Sequence, residues 1–181
     1  MGDVLWGAVS IVVLVFFFAL ILHSIWKAAR AVPPAVDRAP GGVRGGLLAV
    51  VAYLLALGLF RLASATNITG YLNASAGADA TLAMHFKFAG PAVLAAVLAF
   101  IACRRLACSR RPSDPAAASV IVWLVSVGYA WLEPVILGQQ PASLGTLAAL
   151  SVFSAAATLY LFFSPRARHT YGFLCGPGDR S

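Results

Sequence analysis

The sequence predicts an all-α fold, a polytopic transmembrane helical bundle with five spans, the N-terminus outside and the C-terminus cytosolic. Of its 181 residues, 61% are apolar and only 10% are charged, and the mean hydropathy is +0.87. A soluble domain has about 45–50% apolar and about 25% charged residues. This composition therefore excludes a water-soluble globule. It also excludes intrinsic disorder, which requires low hydrophobicity.

Five apolar stretches define the predicted spans. Each is close to the length of about 20 residues that a helix needs to cross a hydrocarbon core. Because lipid offers no hydrogen-bond partners, the backbone in each stretch is expected to be helical. Residues 1–165 form the predicted bundle, and residues 166–181 form a short cytosolic tail. The spans cover about residues 4–26, 45–65, 86–103, 116–137 and 142–164.

The first stretch has two interpretations, a cleaved signal peptide and an uncleaved anchor. A signal peptide begins with a basic segment and has an apolar core of about 7–15 residues. Here the segment before the core contains Asp3 and no Lys or Arg, the core is longer, and the basic residues follow it. This pattern favours the anchor, with its N-terminus outside.

The distribution of Lys and Arg predicts the orientation, since cytosolic loops carry an excess of both. Eleven of the 13 basic residues fall into the connection after span one, the connection after span three and the C-terminal tail. Five spans place these three segments on one side, which we assign to the cytosol. The eleven residues are Lys27, Arg30, Arg38, Arg44, Arg104, Arg105, Arg110, Arg111, Arg166, Arg168 and Arg180.

Glycosylation signals agree with this orientation. The sequence contains two Asn, and each begins an Asn-X-Ser/Thr sequon, at Asn67 and at Asn73. Both lie in the connection 66–85, which the charge distribution already places outside, and a sequon predicts a surface loop. We expect Asn73 to be used rather than Asn67, which lies close to the membrane. The alternative is that neither sequon is used.

Cysteines and histidines give a weaker signal. Cys103 and Cys108 flank a pair of arginines at a membrane boundary, where S-palmitoylation is common; the alternative is that they are small residues at a helix end. The three His lie in separate segments without metal-ligand spacing. Sequences typical of hydrolases, zinc proteases and nucleotide-binding loops do not occur. The sequence therefore predicts no catalytic residue, no cofactor and no metal.

Three ionisable residues fall inside or at the edge of spans, where such residues are costly and often functional. Arg61, Lys87 and Glu133 are all predicted near the outer face, and Pro134 follows Glu133. One interpretation is an ion pair of Glu133 with Arg61 or Lys87 that fixes helix register. The other is a coupling site that binds a proton, a cation or a polar solute beside a proline kink.

Small residues recur at helical spacing in two spans. Such faces let helices approach closely, and Ser or Thr can form hydrogen bonds across the contact. They are predicted to pack within the chain, or against a second copy or another membrane protein. The two faces comprise Gly145, Ala148, Ser151, Ala155 and Thr158 in span five, and Ala92, Ala95, Ala96 and Ala99 in span three.

These observations predict a non-enzymatic multispanning protein that acts by binding other membrane proteins in a secretory-pathway, plasma or viral envelope membrane. The basic residues lie beside spans, so they predict no nucleic-acid partner. An Arg- and Ala-rich composition with external sequons is typical of a herpesvirus-like envelope protein in assembly, trafficking or fusion support; a vertebrate and an actinobacterial origin also fit the composition. The alternative function is a small transporter or channel component that uses Arg61, Lys87 and Glu133.

Overall fold

The computed structural model describes residues 19, 21, 23–27, 45–76, 81–109 and 111–172. Within these ranges every regular element is a helix, which confirms the predicted all-α class for this part of the chain. The predicted first span, 4–26, lies mostly outside the described residues. Of that span, residues 19, 21 and 23–26 are described, and they are helical.

Seven α-helices follow one another in the described residues from 46 onward, and four of the helical stretches are long and apolar enough to cross a membrane. These four stretches correspond to predicted spans two to five, so the prediction of several helices suited to a membrane is confirmed for the described residues. The helices are α1 (Gly46–Ala76), α2 (Leu82–Phe88), α3 (Gly90–Cys108), α4 (Asp114–Trp123), α5 (Tyr129–Leu137), α6 (Leu144–Phe163) and α7 (Pro165–Tyr171).

Helix α1 is much longer than predicted. It continues to Ala76 instead of ending near residue 65, so the expectation of a loop is wrong for residues 66–76. The Thr66 hydroxyl donates to the Ala63 carbonyl at 2.8 Å, which satisfies this polar group within the helix. A segment outside the hydrocarbon core does not have to be helical, but it can still continue a helix. With 31 residues, α1 is about 46 Å long and extends well beyond a core of about 30 Å.

The third predicted span is shifted along the chain. It was expected at 86–103, and α3 instead covers Gly90–Cys108. Pro91 lies in the first turn of α3, where its missing N–H group costs nothing, and the separate short helix α2 precedes it. At the other end, Arg105 lies in the last turn, where a positive charge interacts favourably with the helix dipole.

The fourth predicted span, 116–137, consists of two α-helices joined by a π-helical turn. Helix α4 already begins at Asp114, whose carboxylate accepts the backbone N–H of Arg111 at 3.0 Å. The π-helical turn covers Leu124–Gly128, and α5 then runs to Leu137. Gly138 ends α5 with a φ of 63°, a left-handed conformation that glycine adopts without strain.

Helix α6 matches the fifth predicted span of 142–164 closely, and a short helix follows it. Helix α7 covers Pro165–Tyr171 and packs back onto the bundle. The Tyr171 ring is fully buried, and its hydroxyl donates to the carbonyl of Leu106 at 2.6 Å. Residues 173–181 lie outside the described part of the chain.

The two predicted small-residue faces behave differently. The alanines of α3 are buried, as expected for packing within the chain, and Gly58 of α1 lies close to the Phe100 ring on this side. In α6 the buried residues are Ser154, Ala157 and Leu161, not the predicted face. The buried α3 alanines are Ala92, Ala95, Ala96 and Ala99.

Candidate functional site

The polar centre of the described bundle is Arg61 of α1, which is only 3% exposed. Its Nε donates to the carbonyl of Val125 at 3.2 Å, and its Nη2 donates to the carbonyl of Ser126 at 3.3 Å. Its Nη1 donates to Oε2 of Glu133, also at 3.3 Å. One guanidinium therefore binds two backbone carbonyls and a carboxylate, all within residues 125–133.

The π-helical turn explains why two backbone carbonyls accept these bonds. In an α-helix each carbonyl accepts the N–H group four residues on, whereas in a π-helical turn the spacing widens to five and the ladder is locally disturbed. Val125 and Ser126 both belong to this turn, and both are buried. Arg61 supplies charged donors where lipid offers none. The arginine and the π-helical turn therefore support each other.

Aromatic rings complete the surroundings of the guanidinium. The Arg61 Cζ atom lies 4.2 Å from the centroid of the Tyr129 ring, which is 5% exposed, and 5.5 Å from the centroid of Phe60. Both distances are within the range of a cation–π interaction, which is stronger when the cation is desolvated. Tyr129 is the first residue of α5, so this contact also lies beside the π-helical turn.

The predicted layer of three charges reduces to one pair. Lys87 is exposed, and its Nζ lies 5.3 Å from the ring centroid of Phe88 instead of joining Glu133. The reason is that Lys87 belongs to the short helix α2, outside the membrane-spanning helices. The Glu133 side chain is 24% exposed and the Arg61 side chain is 4% exposed, so Glu133 is the more accessible residue of the pair.

A second polar contact joins the same segment to α6. The hydroxyls of Ser126 and Ser154 lie 2.6 Å apart, and both residues are fully buried. The Ser126 hydroxyl also contacts the carbonyl of Val122, and Trp123 Nε1 donates to the Thr158 hydroxyl at 3.2 Å. Neither serine is among the site residues predicted from the sequence; a polar residue within an apolar span was the available signal.

Together these contacts make a polar path from α1 through the π-helical turn to α6. Three donors of Arg61 have fixed acceptors on its own chain, so the arrangement ties helices together. Among the described residues, no group of three or more His, Cys, Asp or Glu could hold a metal ion.

The two sequon asparagines lie in the C-terminal part of helix α1, not on a loop. Asn73 is exposed, and its Oδ1 lies 3.0 Å from Nε2 of His85 on α2. Asn67 lines a cleft of about 570 Å³ together with Tyr71, Phe88 and other residues. Both asparagines are exposed, so the two sites differ in their neighbours and not in accessibility.

The two cysteines proposed for S-palmitoylation differ in accessibility. Cys103 is 1% exposed, and its Sγ donates to the carbonyl of Val51 at 3.3 Å. Cys108 is exposed at the end of α3. An acyltransferase could reach Cys108 in the folded bundle but not Cys103.

The fold and this site define the class of the protein, a helical protein with several apolar helices suited to a membrane and a polar contact network between them. No family model, no curated protein and no solved structure matches the chain.

Proposed function

We propose that this chain is a non-enzymatic multispanning membrane protein that acts by binding other membrane proteins. In helix α6 three of the 20 residues are buried, and this observation supports the proposal most directly. Its first half is almost wholly uncovered, including Gly145, Thr146, Ala148 and Ala149. Small and hydroxylated residues are typical of contacts between transmembrane helices.

The geometry of the charged pair favours this function over transport. A coupling site needs a carboxylate that can exchange partners, whereas Glu133 faces an arginine held by two further backbone bonds. Lys87, which the transport alternative includes, lies apart from the pair. A structural role for Arg61 and Glu133 requires no pathway for a solute through the bundle.

The proposal includes five spans, with the N-terminus outside and the C-terminus in the cytosol. It also includes glycosylation at Asn73, S-palmitoylation at Cys108 and residence in a secretory-pathway, plasma or viral envelope membrane. The support is the concentration of basic residues at one end and of both sequons at the other. A herpesvirus-like envelope protein in assembly, trafficking or fusion support fits this combination.

Substitution on the uncovered face of α6 tests the binding function. Ala148→Phe places a ring where a partner helix would approach, while a position facing only lipid tolerates a ring. Ala116→Phe is the matched control, because Ala116 is also an exposed alanine near the start of a membrane-spanning helix. Complexes, with a second copy or with another membrane protein, are measured by chemical crosslinking in intact membranes.

We expect Ala148→Phe to reduce the crosslinked complex several-fold while the amount of folded protein stays constant, and Ala116→Phe to leave both unchanged. Equal crosslinking in the wild type and both variants would contradict a binding role for this face. An ion or solute flux that disappears in Glu133→Gln, at normal protein level, would favour the transport alternative instead.

A further inference from the structure

A groove opens at the basic end of the bundle, where α1 begins and α3 ends. It has a volume of about 460 Å³ and lies between α3, α1 and the helical residues before Lys27. We call it the α3 groove. Its walls are mostly apolar, with Ile21, Ile25, Leu55, Phe100 and Ala107 among the lining residues, and Arg104 and Cys108 also line it.

Arg104 and Cys108 also line a second depression of about 390 Å³, which contains Arg105 as well. The two cavities therefore meet at the last turns of α3. The α3 groove is an apolar space between helices, and the second depression is a basic surface beside it. This combination matches the two parts of a phospholipid, an acyl chain and a charged headgroup.

Arg104 and Arg105 form no salt bridge with an acidic side chain of the described residues. Arg104 and Arg105 are both exposed. The described acidic residues are Glu133, which pairs with Arg61, and Asp114, which is 2% exposed and accepts a backbone N–H group. Long arginine side chains at a helix end extend toward the interface, where lipid phosphates lie.

We propose that the α3 groove is a binding site for an anionic phospholipid. One acyl chain lies along Phe100 and Ile25, and Arg104 and Arg105 hold the headgroup phosphate. Guanidinium groups suit this role, because they bind phosphate with two parallel hydrogen bonds. The site lies on α3, apart from the uncovered face of α6, and does not depend on the proposed protein–protein function.

Native mass spectrometry of the full chain in mild detergent tests the site. The protein is titrated with dioleoyl phosphatidylserine or with dioleoyl phosphatidylcholine, which have the same acyl chains. We expect about fivefold stronger retention of the anionic lipid for each arginine that contacts it, the factor that one basic side chain near an anionic membrane contributes. Arg104→Gln should remove about fivefold of this preference, and Arg105→Gln should act in the same direction.

Arg111→Gln is the matched control, since Arg111 is an exposed arginine at the same end and outside both cavities. It should retain the wild-type preference. Cys108→Trp, which fills the groove without changing charge, should lower retention of both lipids, whereas Cys108→Ser should not. Equal retention of the two lipids by the wild type overturns the proposal, as does an equal loss in Arg104→Gln and Arg111→Gln. A covalent acyl group on Cys108 with no retained phospholipid also overturns it.

Discussion

The guanidinium of Arg61 lies 3.3 Å from the carboxylate of Glu133, although 72 residues separate them along the chain. The pair joins α1 to α5 across the π-helical turn, and two backbone carbonyls share the same guanidinium. A buried arginine that loses its partners leaves an uncompensated charge, which is costly in a medium without water. The pair is therefore a stabilising contact between α1 and the segment formed by the π-helical turn and α5.

Removing the arginine should weaken the bundle markedly. Arg61→Met keeps an unbranched side chain, shorter than that of arginine, but loses the three donors that Arg61 uses, so we expect the free energy of unfolding to fall by about 2–4 kcal/mol. Unfolding by sodium dodecyl sulfate in mixed micelles measures this change. Lys87→Met is the control, because Lys87 is exposed and should change stability by less than about 0.5 kcal/mol. A similar small effect for Arg61→Met would contradict the stabilising role.

Removing the acid should cost less. In Glu133→Gln an amide oxygen can still accept from Arg61, and Glu133 is partly exposed, so we expect a loss of about 1 kcal/mol. The double variant Arg61→Glu with Glu133→Arg exchanges the two charges. It should recover only part of the wild-type stability, since a glutamate at 61 cannot donate to the carbonyls of Val125 and Ser126. Full recovery in the same unfolding assay would show that the ion pair alone matters.

The contact between Ser126 and Ser154 should make a small, measurable contribution. Ser154→Ala removes one hydroxyl from a buried pair and should lower the free energy of unfolding by about 0.5–1.5 kcal/mol. Ser151→Ala is the matched control, one turn away on the same helix and only half-buried. Equal effects of the two substitutions would indicate that helix propensity, and not the hydroxyl contact, is measured.

The close approach of α1 and α3 depends on Gly58. A Cβ atom at this position would lie 2.8 Å from Cε1 of Phe100, so Gly58→Val should destabilise the bundle by about 1–3 kcal/mol through overpacking. Gly70 lies in the same helix, and a Cβ atom there would have no neighbouring atom within 4 Å. Gly70→Ala should therefore stabilise α1 by about 0.5–1 kcal/mol. A destabilising Gly70→Ala together with a neutral Gly58→Val would contradict this packing.

The proposed orientation of the chain in the membrane can be tested in cells. Enzymatic deglycosylation should increase the gel mobility of the wild-type chain, and Asn73→Gln should abolish that shift. Asn67→Gln should leave most of the shift intact, because Asn67 lies nearer the membrane and lines a cleft. A C-terminal tag should be accessible to protease only from the cytosolic side. A protected, lumenal tag would exclude an odd number of spans with this orientation.

The sequence by itself determined the class of fold and the approximate position of four described helices. Composition and the length of apolar stretches suffice for this, because the bilayer imposes the same requirement on every spanning segment, a helix of about 20 apolar residues. The boundaries of α6 were predicted closely for this reason. The charged residues Arg61 and Glu133 were also recognisable, since each is an unusual residue in an apolar segment.

Only the tertiary structure decided which residues meet. From the sequence, either Lys87 or Arg61 could pair with Glu133. In the structure Lys87 belongs to the separate helix α2 and lies apart from the pair. The π-helical turn and the contact between Ser126 and Ser154 depend on donors from other helices, which no local pattern encodes. Helix α1 is longer than a bilayer crossing requires because residues 66–76 contain no proline, whereas hydropathy indicates only where the apolar residues end. Helical periodicity determines which residues lie on the same face of each helix. The packing between helices decides which of those residues come together as a site.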